Sequence, residues 1–190
     1  EEGNQEQAQA IAEKLEEIKE WFTAVRDRYN AASGDFKKPD FIEVFNETLN
    51  DPPNNLNNAT TEFQFRSNNT TDAASGDYLD ALRSLNNQYG TTPGDYDYIV
   101  NAFKLAREIF GCDAKLMINE YGIENDSRVM TTYKGIVDML KADELIDGVG
   151  MQLHSFSTQL YNGYSPANVA AATTNLQTQL STIASAGLPL

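Results

Sequence analysis

Three short clusters of chemically capable side chains stand where apolar runs end: Asn46-Glu47, Asn119-Glu120-Tyr121, and Gln152 with His154. A carboxyl group at the end of a buried strand loses hydration, which raises its proton affinity. Glu47 therefore suits a general acid at neutral pH. The same position also suits a carboxylate that caps a helix or closes an ion pair. His154 is the sole histidine; it can orient a carboxylate, bind a ligand or serve structure. Amides and a phenol beside carboxylates suit a neutral, hydroxylated ligand, and a sugar chain fits that description. Other chemistries lack their signatures. His154 with Glu47 and Glu120 offers a weak metal set, without HExxH or similar spacing. There is no G-x-S-x-G for a nucleophilic serine and no P-loop or G-x-G-x-x-G for phosphates. No metal or cofactor is expected.

These clusters need elements to position them. Residues 5–30 place Ala8, Ile11, Leu15, Ile18, Phe22, Val25 and Tyr29 at intervals of three and four, the period of an amphipathic helix. Gly34 and Pro39 end it. Phe41-Ile42-Glu43-Val44-Phe45 reads as a strand. Residues 50–75 are rich in Asn and Thr and read as a surface loop. A helix is predicted over 76–89. Another starts at Thr92-Pro93-Gly94-Asp95, a cap, a first-turn proline and an acid, and runs to about Phe110 before Gly111. Ala114–Ile118 reads as a strand. A helix capped by Asp126 or Ser127 carries Val129, Met130, Tyr133, Ile136, Val137 and Leu140 on one face. Ile146–Leu153 reads as a strand ending at His154. Ser165-Pro166 opens a helix with Val169, Leu176, Leu180 and Ile183 inward. Leu188-Pro189-Leu190 reads as the entry to a further strand.

Strands alternating with helices predict parallel pairing through right-handed crossovers. In such sheets, function collects at the carboxyl ends of the strands. The three clusters are thereby predicted to share one site. A flavodoxin-like binding domain would share this element order but needs a phosphate-cradling glycine loop, which is absent.

Composition narrows the partners. The 190 residues carry 14 basic and 28 acidic side chains, a formal charge of −14. Phosphate binding needs a cationic surface, so nucleic acid and anionic membranes are excluded as partners. No run approaches the ~20 apolar residues of a membrane span. The first residues are polar and acidic, unlike a signal peptide. Cys112 is the sole cysteine, so no internal disulfide is expected.

The order of motifs resembles glycoside hydrolase family 10, the endo-β-1,4-xylanases. Ile42-Glu43-Val44-Phe45-Asn46-Glu47 is similar to the family's W-D-V-V-N-E strand. Phe65-Arg66-Ser67 resembles its following loop element, and Tyr96 to Arg107 its next helix. Lys115 to Tyr121 resembles K-L-x-x-N-D-Y-N, and Ile146 to His154 resembles I-D-G-V-G-x-Q-S-H. Gly187-Leu188-Pro189-Leu190 matches the lead-in to the seventh strand. The resemblance implies an α/β fold: part of a (β/α)₈ TIM barrel, with parallel strands 4–6 and helices 3–6, incomplete in this chain. Residues 1–190 are then a partial catalytic domain, since such barrels take ~250 residues.

The resemblance implies retaining hydrolysis of β-1,4-xylan. It makes Glu47 the acid/base. Asn46 would hydrogen-bond the sugar beside the scissile bond, at its 2-hydroxyl, Gln152 and His154 would orient nucleophile and substrate, and Tyr121 would face the leaving-group sugar. Xylan or a xylo-oligosaccharide is the implied partner, with a complementary chain or second copy completing the barrel. Export to the medium or cell surface is the implied location. Departures are Ile42 for Trp, Glu43 and Glu120 in place of Asp, and Gly122 for Asn. The family nucleophile belongs to an I-T-E-x-D strand directly after G-L-P-L, so it is expected beyond Leu190. Glu43 is expected on the face of Glu47 by even spacing, about two pleats deeper.

Overall fold

The computed structural model describes residues 2–31, 33, 39–49, 73–124, 126–154 and 165–190. Its elements run α1 (Glu2–Asn30), β1 (Phe41–Asn46), α2 (Ala73–Arg83), α3 (Asn86–Tyr89), α4 (Asp97–Phe110), β2 (Lys115–Tyr121), α5 (Ser127–Ala142), β3 (Gly148–Gln152) and α6 (Pro166–Ala184). The strands form a parallel sheet in the order β1-β2-β3, with helices in the connections between them, as parallel pairing requires. Beyond β3, the Val149 N–H donates to the carbonyl of Pro189 at 2.9 Å. The chain therefore returns alongside β3 after α6. Most of the loop assigned to 50–75, with Phe65-Arg66-Ser67, lies outside the described residues, as does Gly34; Ala73–Ser75 instead begin α2.

One face of the sheet is covered by helices. Leu116, Ile118 and Val149 point to that side and are buried, with Ile42 beside them. Val129, Met130, Tyr133, Ile136, Val137 and Leu140 form the buried stripe of α5 that the helical period predicts. Fully burying each such side chain is worth about 1.5–3 kcal/mol, so this stripe fixes α5 against the sheet far more strongly than helix propensity could. The Asp126 side chain caps α5 by accepting from the Arg128 N–H. At the far end, Glu144 takes φ 56°. The Leu145 N–H reaches back to the Leu140 carbonyl at 2.9 Å, closing a Schellman turn.

Three helical expectations are corrected. Residues 76–89 do not form one helix: Ser84 and Leu85 make a turn between α2 and α3. The Asn86 side chain is drawn away to Asp97 Oδ2 at 2.7 Å and to the Asn101 amide at 2.6 Å. The helix expected from Thr92-Pro93 starts only at Asp97, after Tyr96. Lys104 donates to Thr91 and Arg83 to the Gly94 carbonyl, so tertiary bonds hold that segment as a connector. Val169 is exposed on α6, whose buried residues are Gln179 and Ile183. Helix α6 packs on α5, and Lys141 of α5 donates to the Ala186 carbonyl just past its end.

Asp97 ties α2, α3 and α4 together. It is 5% exposed and accepts from Arg83 Nε at 2.8 Å. Burial pushes its carboxyl up, but the hydrogen bonds and charge of Arg83 with the Asn86 amide outweigh this and hold it below the usual range. A lowered folded pKa stabilises the fold above the unfolded carboxylate pKa of ~3.9 and is lost as pH falls through the folded value. Asp97→Asn is therefore expected to flatten the loss of stability below about pH 4 while costing stability at pH 7. Urea unfolding at both pH values checks this; parallel curves would refute it.

Candidate active site

The site is built at the carboxyl ends of the strands, on the face away from the helices. The pairing Glu43↔Met117 and Asn46↔Asn119 skips a residue on β1, a bulge between Glu43 and Phe45. The bulge flips the parity of β1. Phe45 then faces the helices, edge-on to Tyr98 at 5.7 Å, while Asn46 joins Glu43 on the open face with Met117, Asn119 and Tyr121. Glu43 thus reaches that face across a bulge, not by even spacing. Burial raises its carboxyl and the neighbouring charge of Glu47 adds to the effect.

Just past β1, Glu47 takes φ 55°, a left-handed conformation unfavourable for a residue with a Cβ. Its N–H still donates to the Asn119 carbonyl at 3.0 Å, so the sheet carries the strain. This turn swings the side chain to the open face. There Glu47 Oε1 accepts from Gln152 Nε2 at 2.8 Å and, at 3.4 Å, from Asn46 Nδ2. Gln152 Nε2 also donates to Asn46 Oδ1 at 2.8 Å, as does Asn119 Nδ2 at 2.9 Å. Gln152 Oε1 lies 2.9 Å from His154 Nε2. An amide oxygen only accepts, so that imidazole nitrogen carries a proton. The Tyr121 and His154 rings lie 5.7 Å apart. Asn46, Glu47, Tyr121, Gln152 and His154 are thereby brought together.

Glu120 is not. It is fully buried on the helix side, where Oε2 accepts from the Leu49 N–H at 2.7 Å and Oε1 from the Tyr121 N–H at 2.8 Å. It secures the backbone that follows Glu47. Thr48 is anchored beside it, its hydroxyl 2.8 Å from that of buried Tyr98. Alternation carried the signal: Leu116, Ile118 and Glu120 share one phase of β2, and Met117, Asn119 and Tyr121 the other. Asn119, the amide linked to Asn46, was legible the same way. The weak metal set falls with Glu120. Among the described residues, no group of three or more His, Cys, Asp or Glu is placed to hold a metal ion.

A parallel βα sheet with a carboxylate–amide cluster at its carboxyl ends defines a segment of a (β/α)₈-barrel protein. The sequence profile of Glycosyl hydrolase family 10 matches residues 2–190, and the chain belongs to that family. It is 45% identical over 58 residues to endo-1,4-beta-xylanase A of Caldicellulosiruptor saccharolyticus, a match covering 30% of this chain and 17% of that protein. The family 10 structure from Paenibacillus barcinonensis aligns with TM-score 0.57 and 25% identity over 92% of this chain and 40% of its own. TsXylA, an intracellular xylanase from Thermoanaerobacterium saccharolyticum JW/SL-YS485, aligns with TM-score 0.56 and 23% identity over 92% and 41%. The chain thus spans about two fifths of these structures.

Proposed function

We propose that this chain supplies the acid/base half of a retaining endo-β-1,4-xylanase site. The observation that carries the reading is Glu47 Oε1 held at 2.8 Å by Gln152 and flanked by Asn46 at the mouth of a family 10 sheet. The similarity to a curated endo-1,4-beta-xylanase supports xylan over another β-1,4-linked chain. In this reading, protonated Glu47 donates to the leaving glycosidic oxygen. It then returns as carboxylate to deprotonate the water that releases the sugar. Its partner nucleophile, ~5–5.5 Å away in a retaining site, is assigned to the strand that follows Leu190. His154 and Gln152 orient that carboxylate and the sugar beside it, and Tyr121 packs against the leaving-group sugar.

Half a carboxylate pair forms no glycosyl-enzyme, so residues 1–190 alone are expected to turn over no xylan. Among the described residues β1 pairs on one side only, with β2, and a complementary segment would close that edge. Family membership does not carry export, since TsXylA is an intracellular xylanase of this fold. Reducing-sugar assays of the full-length protein on xylan and on carboxymethylcellulose test the reading. Release from xylan is expected. Preference for carboxymethylcellulose would move the substrate to a β-1,4-glucan, and no release from either would end the hydrolase reading.

A further inference from the structure

A side-chain amide has two ends of nearly equal shape and opposite chemistry. What Asn46 offers a ligand depends on which end is already spent. Polarity can be traced outward from Glu47. A carboxyl oxygen that carries no proton only accepts, whether or not Oε2 is protonated for its acid role, so Gln152 must present its Nε2 hydrogens to Oε1. The same nitrogen lies 2.8 Å from the Asn46 side chain and can only donate to it, so the Asn46 atom there is Oδ1. Asn119, 2.9 Å from that oxygen, must then present Nδ2. Both lone pairs of Asn46 Oδ1 are thereby occupied. Asn46 Nδ2 is left as its working end, 3.4 Å from Glu47 Oε1.

We propose that Asn119 is a positioning residue that locks the Asn46 amide with its N–H₂ toward the site, making Asn46 a hydrogen-bond donor to a sugar oxygen. Gly150 belongs to the same device. A Cβ there would stand 2.5 Å from Asn119 Oδ1 and 2.9 Å from its Cβ, so only glycine admits Asn119 in this place. Gly150 pairs with Asn119 in the β2–β3 register, and Asn119 pairs with Asn46. One layer across three strands thus reads glycine, amide, amide. The inference rests on the proposed function for its ligand but not for its hydrogen-bond order.

Asn119→Asp tests it at constant shape. A carboxylate there only accepts, so it repels Asn46 Oδ1, and turning the amide would set its N–H₂ against the donating Gln152 Nε2; either way the donor end of Asn46 is no longer held toward the site. In the full-length protein, kcat/KM on a xylo-oligosaccharide is expected to fall about 10- to 100-fold, the worth of a hydrogen bond made to charge or lost in the transition state. The loss should fall on kcat more than KM. In an Asn46→Ala background the same change should add less than about threefold, because Asn119 acts through Asn46. Full activity of Asn119→Asp, or an equal loss in both backgrounds, would overturn the proposal. A second readout does not use turnover: side-chain amide NMR of Asn46, whose hydrogens should shift in Asn119→Asp. Unchanged resonances would refute the lock even if the protein proved inactive on xylan, an outcome that by itself would refute only the proposed function.

Discussion

Glu47→Gln in the full-length protein is expected to lose about 100- to 10,000-fold in kcat on xylan, the range spanned by a positioned general acid–base. The substitution keeps shape and keeps an oxygen for Gln152 Nε2, which now lies 2.8 Å from Oε1. It removes the proton that the leaving sugar needs. Unfolding is expected to change by no more than about 1 kcal/mol, since Gln152 Nε2 keeps an oxygen to donate to. The chemistry predicts a further split. An aryl xyloside with a good leaving group needs no proton to depart, so its first step should survive while release of the sugar, which needs the base, slows. A burst of phenol followed by slow turnover is the expected trace. An equal loss on xylan and on the activated glycoside would remove Glu47 from the acid/base role.

Much of this arrangement was readable in advance because period and chemistry agree. The stripe of α5 from Val129 to Leu140 is buried as its spacing requires. The convergence of Asn46-Glu47, Asn119 and Gln152 follows from the βα order alone, because parallel strands carry their carboxyl ends to one side. What escaped was set by tertiary contacts. Nothing in Val44-Phe45 announces a bulge, yet the pairing skip decides that Asn46, and not Phe45, reaches the open face. Nothing in a glutamate favours φ 55°; the Glu47 conformation persists because the strand pairing behind it and the buried Glu120 ahead of it fix the backbone on both sides. The break after Arg83 has no glycine or proline to mark it. It exists because Asn86 bonds to Asp97 and Asn101 in a different helix. Local propensity decides an element's type, and the partners of its polar ends decide where it stops.

Arg107→Ala is the second large effect, and it should separate stability from catalysis. Arg107 lies at the end of α4, and its guanidinium serves the amino ends of β2 and β3, opposite the site. Nη1 donates to the carbonyls of Ala114 at 2.6 Å and Gly111 at 3.3 Å. Nη2 donates to the Leu145 carbonyl at 3.1 Å and to Asp147 Oδ2 at 2.6 Å. That same oxygen accepts from the Leu116 N–H at 2.9 Å. Two forces could carry the effect. The charge term is modest, because the Asp147 side chain is 40% exposed and water screens the pair. The acceptors decide, since three backbone carbonyls lose donors in a partly buried place. About 2–4 kcal/mol is expected from urea unfolding of the full-length protein. Arg107→Lys should recover less than half, because one ammonium cannot span four acceptors in a plane. Asp147→Asn, which keeps an oxygen for Leu116 and loses only the charge, should cost about 1 kcal/mol or less. A cost equal to that of Arg107→Ala would give the effect to the charge instead. Folded Arg107→Ala should keep its kcat/KM, because residues at the amino ends of barrel strands support the fold while the carboxyl ends carry the chemistry.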